Sequence, residues 1–195
     1  MLSYNESLKI LKETKALLEG HFVLSSGLHS NQYVQCAKLL SQPKYGKIIC
    51  QSLCEKIKKN YSNIDMILSP AVGGIVVGYE VGRQLNITTI FSERVNTKLQ
   101  LRRGFNIKPN ANVLILEDVI TTGKSALECL DIVKHNKANL VGFACIIDRS
   151  DEKLLIKEKI ISQIKLKIET FNKKDLPKNL KDIPYSKPGS KDLSK

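Results

Sequence analysis

Residues 113–128 read VLILEDVITTGKSALE, and this stretch decides the fold that the sequence predicts. Four apolar residues end in two adjacent carboxylates, Glu117 and Asp118. A short apolar run of this kind is typical of a strand that is buried on both faces of a parallel sheet. Ligands in open α/β sheets bind at the carboxyl edge of such strands, so we expect the two acids to lie at a ligand site.

The residues that follow the two acids suit the binding of a phosphate. Small residues let the backbone curl around an anion at the start of a helix, where amide hydrogens and the positive helix end point at it. Thr121, Thr122 and Ser125 add hydroxyl donors. Acids beside a phosphate are unfavourable unless one ligand satisfies both, as a ribose phosphate does with its vicinal hydroxyls. A Walker A loop is excluded because it requires glycine at position 118; a solvated strand end before an ordinary helix stays an alternative.

The rest of the chain predicts an α/β fold with a mostly parallel central sheet and covering helices. A chain of 195 residues can bury one core and is short for two. Apolar patterning predicts strands at 65–69, 88–94, 113–118 and 139–148, and helices at 5–18, 43–59, 73–85 and 124–135. Short strands with a turn at 26–27 are expected within 22–34, and an edge strand is expected where Ile164, Leu166 and Ile168 alternate with charged residues.

The net charge of +12 is compatible with nucleic-acid binding or with an anionic small substrate. Because the lysines are scattered and no arginine-rich tract occurs, we expect a small anionic substrate and no nucleic acid. The first residues lack the apolar region of a secretory signal, and no apolar run is long enough to span a bilayer. We therefore expect a cytoplasmic protein without membrane contact, in which the five cysteines are buried free thiols.

The stretch at 113–128 resembles the phosphoribosyl pyrophosphate motif of type I phosphoribosyltransferases, in which a hydrophobic strand and two acids precede Thr-Thr-Gly and a small hydroxyl residue. The resemblance implies that Glu117 and Asp118 hold the ribose hydroxyls and that residues 121–125 cradle the 5-phosphate. The implied binding residues after the acids are Val119, Ile120, Thr121, Thr122, Gly123, Lys124 and Ser125. Lys124 stands where many members of the family carry glycine.

A second segment, SPAVGGIVVG at 69–78, has a strand end, a turn of small residues and a helix. By the same resemblance, the backbone of Ala71, Val72, Gly73 and Gly74 holds the pyrophosphate of the substrate. An ordinary strand-to-helix turn that glycine makes easier stays the alternative.

A third segment, FSERVNTKLQLRRGF at 91–105, is similar to the flexible catalytic loop of orotate phosphoribosyltransferases. The resemblance implies that Arg94 and Lys98 reach the pyrophosphate from the neighbouring subunit of a homodimer, and that Lys98 is the main catalytic cation. Cations at this position stabilise the negative charge that gathers on the departing pyrophosphate. Gln100 occupies the region where some members carry a histidine, so no histidine role is transferred. A solvated basic loop is the alternative.

Two further segments favour orotate as the base. FVLSSGLHSNQYV at 22–34 resembles the N-terminal hood that covers the base, although Ser25 stands where some members carry lysine. IIDRS at 146–150 resembles the strand end whose arginine meets the orotate carboxylate, which implies Arg149 and, beside the base, Thr121. An arginine fork suits a planar carboxylate. A surface pair between Asp148 and Arg149 is the alternative.

Together these resemblances imply a single phosphoribosyltransferase domain over residues 1–195. About 1–40 would form the hood and the N-terminal helix, and about 172–195 would form a lysine- and proline-rich extension whose Pro-Gly-Ser ending also resembles this branch of the family. The implied reaction transfers the phosphoribosyl group to orotate and yields orotidine 5'-monophosphate and pyrophosphate, in UMP biosynthesis. Mg²⁺ would be held mainly by substrate oxygens and water, with no dedicated protein ligands. A purine phosphoribosyltransferase and a non-catalytic regulator are the competing interpretations.

Overall fold

The computed structural model describes residues 1–24 and 26–188, which form two sheets and six α-helices. The helices are α1 (Tyr4–Glu13), α2 (Cys36–Leu40), α3 (Pro43–Asn60), α4 (Gly73–Leu85), α5 (Lys124–His135) and α6 (Lys178–Lys181), with a 3₁₀ helix at Lys173–Asp175. The strands are β1 (Leu17–Val23), β2 (His29–Val34), β3 (Met66–Pro70), β4 (Thr88–Val95), β5 (Lys98–Leu101), β6 (Asn112–Ile120), β7 (Asn139–Asp148), β8 (Ile160–Lys165), β9 (Thr170–Phe171) and β10 (Tyr185–Ser186).

The larger sheet has the strand order β5-β4-β3-β6-β7-β8. Its neighbours run parallel except for the antiparallel pair β4 and β5, so the predicted mostly parallel sheet is confirmed. β6 lies at the centre and has apolar residues buried on both faces. Leu114 and Leu116 pack in the cluster that contains α3 and α4, whereas Val113 and Ile115 pack in the cluster that contains α5. The carboxyl ends of β3, β4, β6 and β7 therefore meet at one edge of a doubly covered sheet.

Two of the predicted elements differ from the structure by more than two residues at an end. The N-terminal helix ends at Glu13 rather than at residue 18, because the Thr14 hydroxyl donates to the Ile10 carbonyl oxygen at 2.8 Å and Lys15 takes a positive φ of 55°. The edge strand lies at Ile160–Lys165, whereas the alternation had placed it over residues 164–168. Its position at the edge of the sheet is confirmed. Alternation identified the strand but not its bounds.

The smaller sheet, which we call the hood, has the order β10-β1-β2-β9. Two of its strands come from residues 170–171 and 185–186, so the hood is built from both ends of the chain. The boundaries predicted at about 40 and 172 stay predictions. Ser25 and the Gly-Ser of the resembling C-terminal ending lie outside the described residues.

A buried histidine pair fastens the C-terminal segment to the hood. His21 Nδ1 lies 2.9 Å from the Ile183 carbonyl oxygen, and His21 Nε2 lies 2.6 Å from His29 Nδ1. A carbonyl can only accept, so His21 carries its proton on Nδ1 and accepts from His29 through Nε2. Burial lowers the pKa of His29, which favours this neutral arrangement. The segment before Pro188 is thereby held against β1.

All five cysteines are buried free thiols, as the sequence predicted. Among the described residues, none of the helices combines the length and the apolar character needed to cross a membrane.

Close packing of α4 against β4 makes a first prediction. A Cβ on Gly82 of α4 would lie 2.9 Å from the Ile87 carbonyl oxygen and would overlap Thr89 Oγ1, whereas a Cβ on Gly46 of α3 would meet nothing nearer than 4.0 Å. Gly82→Ala should therefore lower the free energy of unfolding by about 1–3 kcal/mol. Gly46→Ala should raise it by roughly 0.5–1 kcal/mol, because alanine favours the helix. Urea denaturation of both variants checks this packing, and changes of the same sign would contradict it.

Candidate active site

The two acids lie in the last residues of β6, and their side chains face different helices. Successive side chains of a strand point to opposite faces of its sheet. Glu117 faces the backbone N–H of Ala126, in the first turn of α5, whose interaction with the carboxylate lowers its pKa. Asp118 lies against Gly73, the first residue of α4. The pair therefore occupies the space between the N-terminal ends of two helices.

Burial makes ionisation of both acids unfavourable in the ligand-free protein. Glu117 is only 8% exposed, and burial together with the charge of Asp118 raises its pKa to about 8, although the Ala126 hydrogen bond opposes the shift. Burial also raises the pKa of Asp118. Within residues 1–24 and 26–188, no lysine or arginine forms a salt bridge with either acid. A ligand that brings hydroxyl donors or a cation to this position would relieve the cost.

The segment predicted to hold pyrophosphate, residues 71–74, connects β3 to the start of α4. The Ala71 N–H donates to the Ser92 carbonyl oxygen at 2.7 Å, and the peptide bond between Ala71 and Val72 is cis. A Cβ on Gly73 would lie 2.6 Å from Asp118 Oδ2. Glycine is therefore required for this loop to approach the acid pair. The N–H groups of a helix's first turn lack acceptors within the helix, so this end of α4 can bind an anion.

The predicted phosphate cradle, residues 121–125, forms an open helix start beside the acids. Gly123 is the N-cap of α5 with a φ of 77°, and a Cβ there would lie 2.7 Å from Ile156 Cδ1. No side chain among the described residues caps α5. Thr122 anchors the loop because its carbonyl oxygen accepts the Leu155 N–H at 2.9 Å. The Lys124 N–H donates only a long hydrogen bond of 3.4 Å to Thr122 Oγ1. The amide groups of Lys124 and Ser125 at this helix start can therefore turn to an anionic ligand.

A cavity of about 600 Å³ lies between the cradle and the hood, and the predicted base site stays a prediction. Its wall contains Thr121 and Arg149 from the main sheet, Leu24 and Tyr33 from the hood, and Pro188 from the C-terminal segment. The structure therefore brings both predicted base-contacting residues to the same cavity.

Arg149 is free to meet a ligand in this cavity. Burial lowers its pKa, and its buried Nε has no hydrogen-bond partner among the described residues. The alternative surface pair with Asp148 does not form. The Asp148 carboxylate instead accepts the Ser150 N–H at 2.8 Å and forms a salt bridge with Lys165 at 3.4 Å. A buried guanidinium without an acceptor is unfavourable, so a carboxylate in the cavity would stabilise it.

Arg94 and Lys98, in contrast, lie away from the acids of their own chain. Both belong to the antiparallel pair β4 and β5, and β5 is three strands from β6. The three strand spacings between Lys98 and β6 correspond to about 14 Å, and the two between Arg94 on β4 and β6 correspond to about 10 Å. Lys98 is exposed, and Arg94 forms a salt bridge with Glu128 of α5. The predicted action of both residues on a neighbouring subunit's site stays a prediction.

Sequence reasoning missed several contacts of this region. It assigned no role to Glu128, although the four-residue step from Lys124 places both on one side of α5. It also missed Pro188 as part of the cavity wall. No local pattern indicates that contact, because it depends on the C-terminal segment pairing with β1.

Comparison with known proteins establishes the family. Residues 37–175 match the family model described as the phosphoribosyl transferase domain. The chain is 47% identical over 185 residues to the orotate phosphoribosyltransferase of Chlorobium phaeobacteroides (strain BS1), which covers 95% of each chain. It is 42% identical over 190 residues to that of Chlorobaculum parvum, which covers 97% of each chain. The chain belongs to the orotate phosphoribosyltransferase family.

The fold of the family is also found in a solved structure. The crystal structure of orotate phosphoribosyltransferase from Aeropyrum pernix superimposes with a TM-score of 0.70 at 23% identity, over 82% of this chain and 93% of that one. At this identity the likeness concerns the fold alone. It confirms the type I phosphoribosyltransferase fold that the motif at 113–128 predicted.

The buried acid pair makes a prediction about stability and pH. The pKa of Glu117 is raised from 4.5 to about 8, so between these pH values the unfolded chain loses a proton that the folded one retains. Stability contributed by this site should therefore fall as pH rises from 4.5 to 8. Glu117→Gln removes this effect. At pH 8 without substrates, its free energy of unfolding should exceed that of the unmodified protein by on the order of 2 kcal/mol or more, and it should unfold at a higher temperature. The advantage should vanish near pH 4.5.

Calorimetric melting at both pH values checks this prediction, with the exposed Glu152→Gln as the control. A benefit of Glu117→Gln that is equal at the two pH values would show that the acid is ionised in the folded protein.

Proposed function

We propose that this chain transfers the phosphoribosyl group of phosphoribosyl pyrophosphate to orotate, giving orotidine 5'-monophosphate and pyrophosphate in UMP biosynthesis. The observation that carries the proposal is the half-buried Arg149, which lines a cavity between the hood and the phosphate cradle and whose buried Nε finds no partner in the described part of the chain. Orotate brings a carboxylate to an arginine that needs an acceptor. The curated relatives named orotate phosphoribosyltransferase support the same substrate.

The substrate would span the edge of the sheet from one helix start to the other. The 5-phosphate would accept from the amide groups and hydroxyls of residues 121–125, and the ribose hydroxyls would donate to Glu117 and Asp118. The pyrophosphate would lie at residues 71–74, where Gly73 leaves room beside the acid. The base would extend into the cavity toward Thr121 and Arg149. One extended ligand would thus bring partners to the acids, to the two helix starts and to Arg149.

The site would promote the reaction mainly through electrostatics. The ribose becomes oxocarbenium-like as the pyrophosphate departs, and the two carboxylates would stabilise the growing positive charge. The amides at the start of α4, together with Lys98 and Arg94, would stabilise the departing anion. Orotate presents a nucleophilic ring nitrogen once it is ionised, so the site needs no strong general base. The hood would exclude water that would otherwise hydrolyse the activated ribose.

The residues present are compatible with Mg²⁺ as the cofactor. Among the described residues no group of three or more His, Cys, Asp or Glu side chains could hold a metal. Two buried carboxylates without a cationic partner nevertheless offer the hard oxygen atoms that Mg²⁺ prefers. Bound mainly through substrate oxygens and water, Mg²⁺ would neutralise negative charge on the pyrophosphate.

We also infer a homodimer with shared sites. An exposed apolar stripe is formed by Val72 at the N-cap of α4 and by Val76 and Tyr79 on the helix, and Val72, within the pyrophosphate loop, is 82% exposed. Such a stripe is typical of a protein interface. A partner docked there would bring its own loop near the acids, whereas Arg94 of the same chain is paired with Glu128. The buried free thiols support a cytoplasmic location.

The choice of base can be tested by substitution of Arg149. Arg149→Ala should reduce kcat/KM for orotate, because the orotate carboxylate loses its partner in the cavity. The loss should correspond to a transition-state free energy on the order of 2–4 kcal/mol. Arg149→Lys keeps the charge but not the fork and should recover only part of the loss. Turnover with orotate, uracil and hypoxanthine is measured for each protein. Comparable use of uracil and orotate by the unmodified protein would refute the assignment.

The shared site can be tested by mixing two inactive variants. Lys98→Ala removes the loop cation, and Thr122→Asp adds charge to the cradle at an exposed position. Gly123 is unsuitable for this purpose, because a Cβ there would strike Ile156. If Lys98 acts across a twofold interface, a heterodimer contains one site with an intact loop and an intact cradle. Mixing under subunit exchange should then restore about half of the heterodimer's sites. Confirmed exchange without recovered turnover would place the loop's action within its own chain.

A further inference from the structure

Three hydrogen bonds join the β4–β5 hairpin to a single carboxylate on α5. Arg94 donates from Nη1 to Glu128 Oε2 at 2.9 Å and from Nη2 to Oε1 at 3.2 Å. The backbone N–H of Leu99 donates to the same Oε2 at 3.1 Å. The hairpin that carries Lys98 is therefore fastened to the helix whose first residues form the phosphate cradle.

The same contacts occupy the Arg94 guanidinium, so that it is not available to an anionic ligand. Its Nη1 also donates to the Thr97 carbonyl oxygen at 2.6 Å, inside the turn of the hairpin. The guanidinium thus faces Glu128 and the turn of its own chain. Burial alone would raise the pKa of Glu128, but the bonds from Arg94 and Leu99 lower it below its ordinary value. The carboxylate is therefore ionised at neutral pH and fully charged toward Arg94.

We propose that Glu128 is a positioning residue that holds Arg94 and the hairpin in a resting position, and that the pyrophosphate of the substrate displaces it. This proposal rests on the proposed function, because it assumes that Arg94 serves the pyrophosphate. In the resting state Glu128 satisfies the guanidinium. When phosphoribosyl pyrophosphate binds, its pyrophosphate takes Arg94, and the hairpin is released to close over a site.

The strength of the contact suits a latch that substrate can open. The side chains of Arg94 and Glu128 are 42% and 20% exposed, so the pair is screened by water. A pair of this exposure shifts an equilibrium by about fivefold at most. Pyrophosphate carries more charge than one carboxylate and accepts a guanidinium in the same bidentate way. The latch would therefore lower the apparent affinity for substrate only moderately.

A second ion pair in the same hairpin provides a matched control. Arg103 donates to both oxygens of Glu93 at 2.9 Å, and its guanidinium lies over the Phe91 ring. Phe91 also packs edge-to-face against Phe105 at 5.1 Å. This pair resembles the Arg94 pair in geometry and exposure. It fastens the base of the hairpin, however, and has no part in the proposed latch.

The test compares Glu128→Gln with Glu93→Gln. Glutamine keeps the size of the side chain and an acceptor for Leu99 but loses the charge toward Arg94. Binding of phosphoribosyl pyrophosphate with Mg²⁺ is measured by titration calorimetry, and KM and kcat are measured with orotate. Glu128→Gln should tighten binding about two- to fivefold and lower KM without raising kcat. Glu93→Gln should leave binding unchanged. Equal or weaker binding by Glu128→Gln would overturn the proposal.

Two further measurements keep the latch separable from folding and from the proposed reaction. Glu128→Asp keeps the charge with a shorter reach, so its affinity for phosphoribosyl pyrophosphate should lie between those of the unmodified protein and Glu128→Gln. An affinity above that of Glu128→Gln would refute the proposal.

Limited trypsin digestion without substrates should cleave Glu128→Gln faster after Arg94 and Lys98, and an unchanged rate at both bonds would also count against the proposal. A failure of orotate turnover in the unmodified protein would refute the proposed function, whereas these two results would still report on the latch.

Discussion

The burial of two carboxylates at the carboxyl end of β6 is the constraint on which the functional half of the structure depends. Glu117 is buried and Asp118 is half-buried, so water solvates the pair poorly, and no lysine or arginine among the described residues forms a salt bridge with either acid. The starts of α4 and α5 are shaped by the presence of the two acids. Gly73 allows the start of α4 to approach Asp118, and the first turn of α5 supplies an N–H to Glu117. The two helix starts and the acids together favour a ligand that combines anionic ends with a hydroxyl-bearing or cationic centre.

Much of the fold could be predicted because its determinants are contiguous in the sequence. α4, α5 and β7 have the predicted bounds, since a glycine, a small-residue loop or a long apolar run marks each of them. The N-terminal helix was predicted too long, because its end depends on a hydroxyl bond within the last turn and on the positive φ of Lys15. The hood was anticipated only in part, because two of its strands come from the other end of the chain.

The candidate site follows the same division. The acids and the phosphate cradle were singled out from their own residues, whereas the loop at 71–74 and Arg149 came from the resemblance of short motifs to a known family. The bond from Glu128 to Arg94 and the contact of Ile156 with Gly123 join segments that are far apart in sequence. Neither pattern nor composition indicates such contacts, and they determine how the motifs are held. The sequence therefore indicated the chemical groups of the candidate site better than it indicated the contacts that hold those groups in place.

The protonation of the acid pair before its ligand binds can be measured directly. Phosphoribosyl pyrophosphate with Mg²⁺ is titrated near pH 7 by calorimetry, in buffers that differ in ionisation enthalpy, into the unmodified protein and into Glu117→Gln. The account predicts that the unmodified protein releases more protons on binding than the variant, because the ligand lowers the raised pKa of Glu117. Equal proton release by the two proteins would mean that Glu117 is already ionised, and the account would fail.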